Sequence, residues 1–192
     1  MCIRDRYSTA EHLDQLRRVI EHVPQGRLGT LAVLGNHDYG RKWSELPVGD
    51  AVANIAERAG VTVLRNESRI VSGLQVVGVD DFWSPRFDVT RALADRDRDA
   101  ATIVLCHNPD GADVSGWDDY EGWILSGHTH GGQCKAPFLP PPLLPVKNRR
   151  YTAGEFALAG GRRLYINRGL GHLLKVRFNV RPEVTLFHLT GV

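Results

Sequence analysis

Apolar residues recur along this chain in two rhythms, and the switching between them marks out the elements. Leu13, Leu16, Val19, Ile20 and Val23 return at helical intervals until Pro24, with Ser8 and Glu11 at capping-box spacing ahead of them. They predict a surface helix that opens at Ser8. GTLAVL (29–34) is an unbroken apolar run that stops at the polar GNHDYG, as a buried strand feeding a loop does. Asp50 stands at a cap position before Val52, Ile55, Ala56 and Ala59, a helical face closed by Gly60. VTVL (61–64), LQVVGV (74–79), TIVLC (102–106) and WILS (123–126) read as further strands, with a short polar helix from about Asp88. Beyond them LYIN, VRF and VTLFHL predict short pairing strands, and the proline-rich stretch 137–145 predicts an extended loop.

Strands separated by helices predict an α/β sheet, in which sites collect beyond the carboxyl ends of the strands. The pattern adds its own emphasis. One apolar run after another ends in a loop bearing His, Asn or Asp: GNHD after the first, DD after LQVVGV, HNPD after TIVLC and GHTHGG after WILS.

At 192 residues the chain suits one domain, and a hydrophobic fraction of 42% against 24% charged excludes disordered and fibrous classes. No apolar stretch reaches membrane-spanning length, and the start, MCIRDRYS, lacks the apolar region of a signal peptide. Cys2, Cys106 and Cys134 make an odd set without framework spacing, which points to a reducing compartment.

Charge changes the picture more than composition does. The net charge of +2 conceals a basic end, with nine Lys or Arg against the single acid Glu155 between Lys147 and Arg181. Such a segment suits an anionic partner, a phosphorylated substrate or a lipid headgroup surface, and a merely solvated basic face has equal claim.

The candidate chemistry lies in the strand-end loops. Asn36, His37 and Asp38 offer an amide oxygen, an imidazole and a carboxylate able to fix a tautomer; alone, such a tripeptide is more often a polar turn. His107, closing TIVLC, reads equally well as a hydrogen-bonded strand-end histidine. His128 and His130 are harder to explain structurally. In an extended loop, residues two apart project to one side, and Gly127, Gly131 and Gly132 leave room for an ion or phosphate. Three histidine-bearing loops on one rim predict a metal centre.

GNHD, HNPD and GHTHGG, in this order, resemble the calcineurin-like metallophosphoesterase family. YINRGLG and RPEV resemble its bacterial phosphodiesterase and UDP-diacylglucosamine pyrophosphatase branch. The resemblance implies an αβ sandwich of two sheets around two divalent ions, usually manganese, iron or zinc. By the same resemblance Asn36, His107 and His128 hold one ion, His130 holds the other, and His37 beside Asp38 acts on the leaving oxygen. The ions clamp the phosphoryl oxygens and acidify a bridging water. His172 and Arg168 are carried as substrate contacts, and a phosphorylated or lipid-linked substrate is implied.

The family's Asp-x-His and Gly-Asp-x-x-Asp motifs have no counterpart here, since Asp5-Arg6-Tyr7 lacks the histidine and Gly49-Asp50 follows the GNHD loop. The expectation is therefore an N-terminally shortened sandwich without its first strand or strands: a leader over 1–7, the phosphoesterase domain over 8–192, and little activity from the chain by itself. A noncatalytic metal-binding or scaffold fragment is the rival reading. A metallo-β-lactamase-like hydrolase would want an aspartate where Gly132 stands. PFLPPPLLPV reads as an apolar lip for lipid chains or as a loop packed on its own domain, and with the basic end it places the protein in the cytoplasm or against the inner face of a membrane. No interleaving of aromatic and basic residues marks dedicated nucleic-acid binding.

Overall fold

The computed structural model describes residues 12–171 and 176–190. Six strands form the larger sheet, in the order β3-β4-β5-β6-β8-β7. β4 (Leu74–Val79), β5 (Thr102–Cys106), β6 (Trp123–Ser126) and β8 (Arg163–Ile166) run parallel at its centre. β3 (Glu67–Val71) and β7 (Gly154–Ala157) flank them antiparallel. The central strands are near-continuous apolar runs because both faces are covered. Val77, Val79, Val104, Cys106, Ile124 and Leu164 have no accessible surface.

The smaller sheet joins β1 (Leu31–Ala32) to β2 (Thr62–Val63) in parallel, across α2 (Leu46–Arg58). α1 (Leu13–Ile20) lies against α2, and together they enclose Ile20, Leu34, Tyr39, Val52 and Ile55. The chain is thus an α/β protein, as its pattern predicted, with the two sheets that the family resemblance implied. The sheets face each other across a cavity of about 300 Å³ bordered by Leu31 and Val33 on one side and Leu105, Leu125 and Tyr165 on the other.

Several expectations are corrected. GTLAVL contributes only two residues of strand. α2 begins at Leu46, four residues before the expected cap, because Pro47 suits a first helical turn. Asp50 therefore sits inside the helix, where its carboxylate binds Arg65 and Arg86 at 2.6 and 2.7 Å. The short helix expected from about Asp88 does form as α3 (Val89–Ala94), with the Asp88 side chain capping it by accepting from the Arg91 N–H.

VRF provides a single bridge, Phe178 to Cys134, and no strand forms over 184–190, because β7 already occupies the open edge of β8. That stretch is tethered by side chains instead, with Thr185 accepting from Asn167 at 2.8 Å. β3 and β7 were not foreseen, although Ser72-Gly73 and Gly160-Gly161, all at positive φ, are turn signals beside them. The predicted Ser8–Glu11 cap lies outside the described residues.

Candidate active site

The carboxyl ends of β1, β5, β6 and β8 point to one rim. Val33 and Leu34 leave β1 and lead to Asn36; Cys106 leads to His107, Ser126 to His128, and Ile166 to Asn167 and Arg168. Gly127 N–H donates to the His107 carbonyl at 3.0 Å, which locks the two histidine loops together. Gly35 permits the closest approach: a Cβ there would lie 2.7 Å from Nε2 of His107, so a side chain at 35 would displace the ring.

Asn36, His107 and His128 are all buried and adjacent. The His107 and His128 rings stand edge to face with centroids 5.2 Å apart. His128 Nε2 lies 2.8 Å from the Pro145 carbonyl, which only accepts, so this nitrogen carries the proton. Burial pushes the His128 pKa down to about 4, with His37 and His130 adding to the effect against the opposing Pro145 contact. The ring is therefore neutral, and its Nδ1 lone pair faces Asn36 Oδ1 at 3.1 Å. Two electron-pair donors facing each other are satisfied by an amide turned to present its NH2, or by a shared cation.

The remaining predicted residues take other positions. His130 is buried in the same cavity wall, and its Nδ1 is 3.2 Å from the Gly171 carbonyl and 3.3 Å from the Arg177 guanidinium. His37 is half-buried on the loop after Asn36. Asp38 accepts from Gly35 N–H at 2.8 Å and ties that loop into a tight turn. Arg168 lines the cavity with its guanidinium paired to Glu183. His172 lies outside the described residues.

Backbone geometry sets the histidine loop apart. His128 and His130 have φ of 66° and 50°, left-handed values that cost an L side chain about 1 kcal/mol or more each. Gly132, also at positive φ, has no room for a Cβ, which would meet Pro141 at 2.1 Å.

Sequence reasoning undervalued a second cluster beside the site. Asp80 and Asp81, noted there only as the DD that ends LQVVGV, are both buried. Tyr39 donates its hydroxyl to Asp80, and Arg65 stands 3.5 Å from the other carboxylate oxygen. Burial raises the Tyr39 hydroxyl well above the usual tyrosine range, and the bond to Asp80 adds to it. Burial likewise pushes Asp81 up to about 7, opposed by the Trp83 N–H and reinforced by Asp38 and Asp80. The ring of Trp83 meets His128 edge-on at 4.8 Å and stacks on Trp43 at 4.4 Å. The signal available in the sequence was the DD pair ending an apolar run; nothing local announced the tryptophans.

Two imidazoles and an amide oxygen are donors suited to a borderline divalent ion. Among the described residues no group of three or more His, Cys, Asp or Glu is placed to hold a metal ion, so any shell built here depends on Asn36 as its third member. In donor chemistry the set fits one ion, and His130 turns its Nδ1 to Gly171 and Arg177.

A two-sheet α/β sandwich with histidine and asparagine loops at its strand ends is the architecture of a metal-dependent phosphoesterase. The chain belongs to the metallophosphoesterase family. It is 35% identical to phosphodiesterase YaeI of Escherichia coli over 83% of this chain and 58% of that protein. With an uncharacterized metallophosphoesterase, YkuE of Bacillus subtilis, it shares 36% identity over 84% of this chain and 56% of the other. With UDP-2,3-diacylglucosamine pyrophosphatase LpxG of Chlamydia trachomatis it shares 32% over 70% and 43%. The chain thus spans about half the length of these curated relatives. No family profile and no solved structure matches it.

Proposed function

We propose that the site hydrolyses phosphodiester or pyrophosphate bonds with divalent metal ions, one held by Asn36, His107 and His128 and a second drawn to His130. The convergence of Asn36, His107 and His128 from three separate strand ends carries this reading. Support comes also from relatives named as a phosphodiesterase, a metallophosphoesterase and a diacylglucosamine pyrophosphatase. When bound, manganese, iron or zinc would polarise the phosphoryl group and acidify water near neutral pH.

The chain's own residues do the rest. Neutral His128, proton held toward Pro145, keeps a lone pair on the Asn36 side. His37, on a turn fixed by the Asp38 bond to Gly35, is the group exposed enough to deliver a proton to the leaving oxygen. Arg168, held by Glu183 at the cavity wall, orients an anionic substrate. The LpxG name makes a lipid-linked nucleotide sugar the substrate class to try first.

None of the ligands named is a carboxylate, so ion affinity should be low for these 192 residues by themselves. That feature favours a second reading, a metal-binding scaffold without turnover. Hydrolysis of bis(4-nitrophenyl) phosphate with added manganese separates the two. It is read on the 192-residue chain, on the full product of its native gene, and on that product carrying His128→Ala. Turnover in the full product, lost in the variant, is expected. Silence from a full product that is folded and metal-loaded overturns the hydrolase reading.

A further inference from the structure

The rim of the histidine site carries an apolar projection that the chemistry above does not use. Residues 136–146 leave the GHTHGG loop and return to it. Pro141 packs onto Gly132, the Pro145 carbonyl meets His128, and Arg149 holds the carbonyls of Leu144 and Pro141 at 3.3 and 3.4 Å. Beyond the loop, the Lys147 and Asn148 N–H groups are fixed by the Asp110 carboxylate at 2.7 and 3.0 Å. The base is built in, yet the tip faces outward: Phe138 is fully exposed, Leu139 is 60% exposed and Leu143 77%. Phe138 has φ of 64°, so the chain adopts a strained backbone where its most exposed aromatic stands.

The apolar surface continues past the loop. Phe178 N–H and carbonyl bond Gln133 and Lys135, setting the exposed side chains of Phe178 and Val176 beside the loop's first residues. Along this stretch the exposed charge is mostly basic. Lys135, Lys147, Arg149 and Arg150 lie between residues 135 and 150 with no acid among them, and Arg181 follows on the neighbouring segment, while Asp110 and Asp113 at the loop's base are engaged by Lys147 N–H, Asn148 and Tyr151. A water-facing loop has no use for a fixed apolar tip, and a protein partner of mixed charge would not call for basic residues alone. A bilayer of anionic lipids matches both features, taking the apolar tip into its interface and the basic rim against its headgroups.

We propose that the 136–146 loop, with Val176 and Phe178, is a docking edge that seats the mouth of the histidine site on an anionic membrane surface. Among the described residues no helix is long and apolar enough to cross a membrane, so the contact is interfacial. Docking here brings the cavity within reach of a headgroup phosphate without removing the lipid from its bilayer. It needs no turnover, so its test fails or succeeds apart from that of the hydrolase reading.

The test is co-sedimentation of the protein with vesicles of phosphatidylglycerol and phosphatidylcholine, against phosphatidylcholine alone. Binding to the anionic vesicles, weakened by high salt, is expected. Phe138→Asp with Leu143→Asp should lower the partition coefficient about tenfold or more, and Arg150→Glu by a smaller factor, with the melting temperature unchanged since these side chains are exposed. Equal sedimentation of wild type and the double variant overturns the proposal, as does no sedimentation at all. A concentration-dependent dimer that the double variant abolishes, without vesicle binding, also overturns it by assigning the patch to a second copy.

Discussion

The two layers that meet at the site are built to different depths. In the six-stranded sheet Val77, Val104, Ile124 and Leu164 have no accessible surface, and two glycine or serine-glycine turns close its flanking hairpins. In the layer of α1, α2 and the two-residue strands, Tyr39 alone among the described residues of its core reaches that burial. A second cavity, of about 410 Å³, runs between Leu16, Ile20, Val52 and Val33. The difference shows which half of the site is held by packing. His107 and His128 are borne by the deep sheet, whereas Asn36 and His37 are borne by the shallow layer, which Tyr39 ties to the deep one through Asp80. Local opening should therefore release Asn36 before it releases the histidines.

Four substitutions probe this contrast. Ile124→Ala, at the centre of the deep sheet, should destabilise by ~2–5 kcal/mol in denaturant titration. A much smaller loss would mean the two layers are equally loose.

Asp81 ends the deep sheet, and its pKa sits at about 7 in the folded state against 3.8 as the reference value. The folded protein binds the extra proton, so this residue's contribution to stability is fully present below about pH 4. It falls as pH rises to about 7 and is flat above. Asp81→Asn should flatten the melting temperature across that window, and an unchanged slope would remove Asp81 as its source.

Tyr39→Phe deletes the bond between the layers and leaves Asp80 short of a donor at no exposure, a loss of ~1–3 kcal/mol. Hydrogen exchange should then quicken in α2 ahead of β5, and simultaneous release of both would merge the layers into one cooperative unit. Ala32→Ile, on β1 beside both cavities, should change stability by less than ~1 kcal/mol in either direction. A loss as large as that from Ile124→Ala would show the shallow layer to be tightly packed after all.

The same contrast governs what the sequence disclosed. The deep sheet was legible because its parallel strands are continuous apolar runs ending in polar loops, so β4, β5 and β6 fall where LQVVGV, TIVLC and WILS place them. The edge strands escaped notice because Glu67–Val71 and Gly154–Ala157 mix exposed and half-buried positions and carry no such run. The shallow layer misled for the opposite reason: GTLAVL is almost wholly apolar, yet only Leu31 and Ala32 of it form strand. At the site, Asn36, His107 and His128 were legible as residue types at strand ends. Their partners were not, since Pro145, Trp83 and Arg177 reach the histidines from loops whose course no local pattern encodes.

The left-handed backbone at His128 and His130 has an evolutionary reading. Glycine or asparagine would occupy those angles with less strain, so a population screened only for survival of heat should drift toward them at both codons. A population screened for hydrolysis should keep the imidazoles and accumulate its thermal repairs elsewhere. Divergence of two such lineages at these two positions, from one starting gene, would record in heredity the conflict that the loop expresses in its angles.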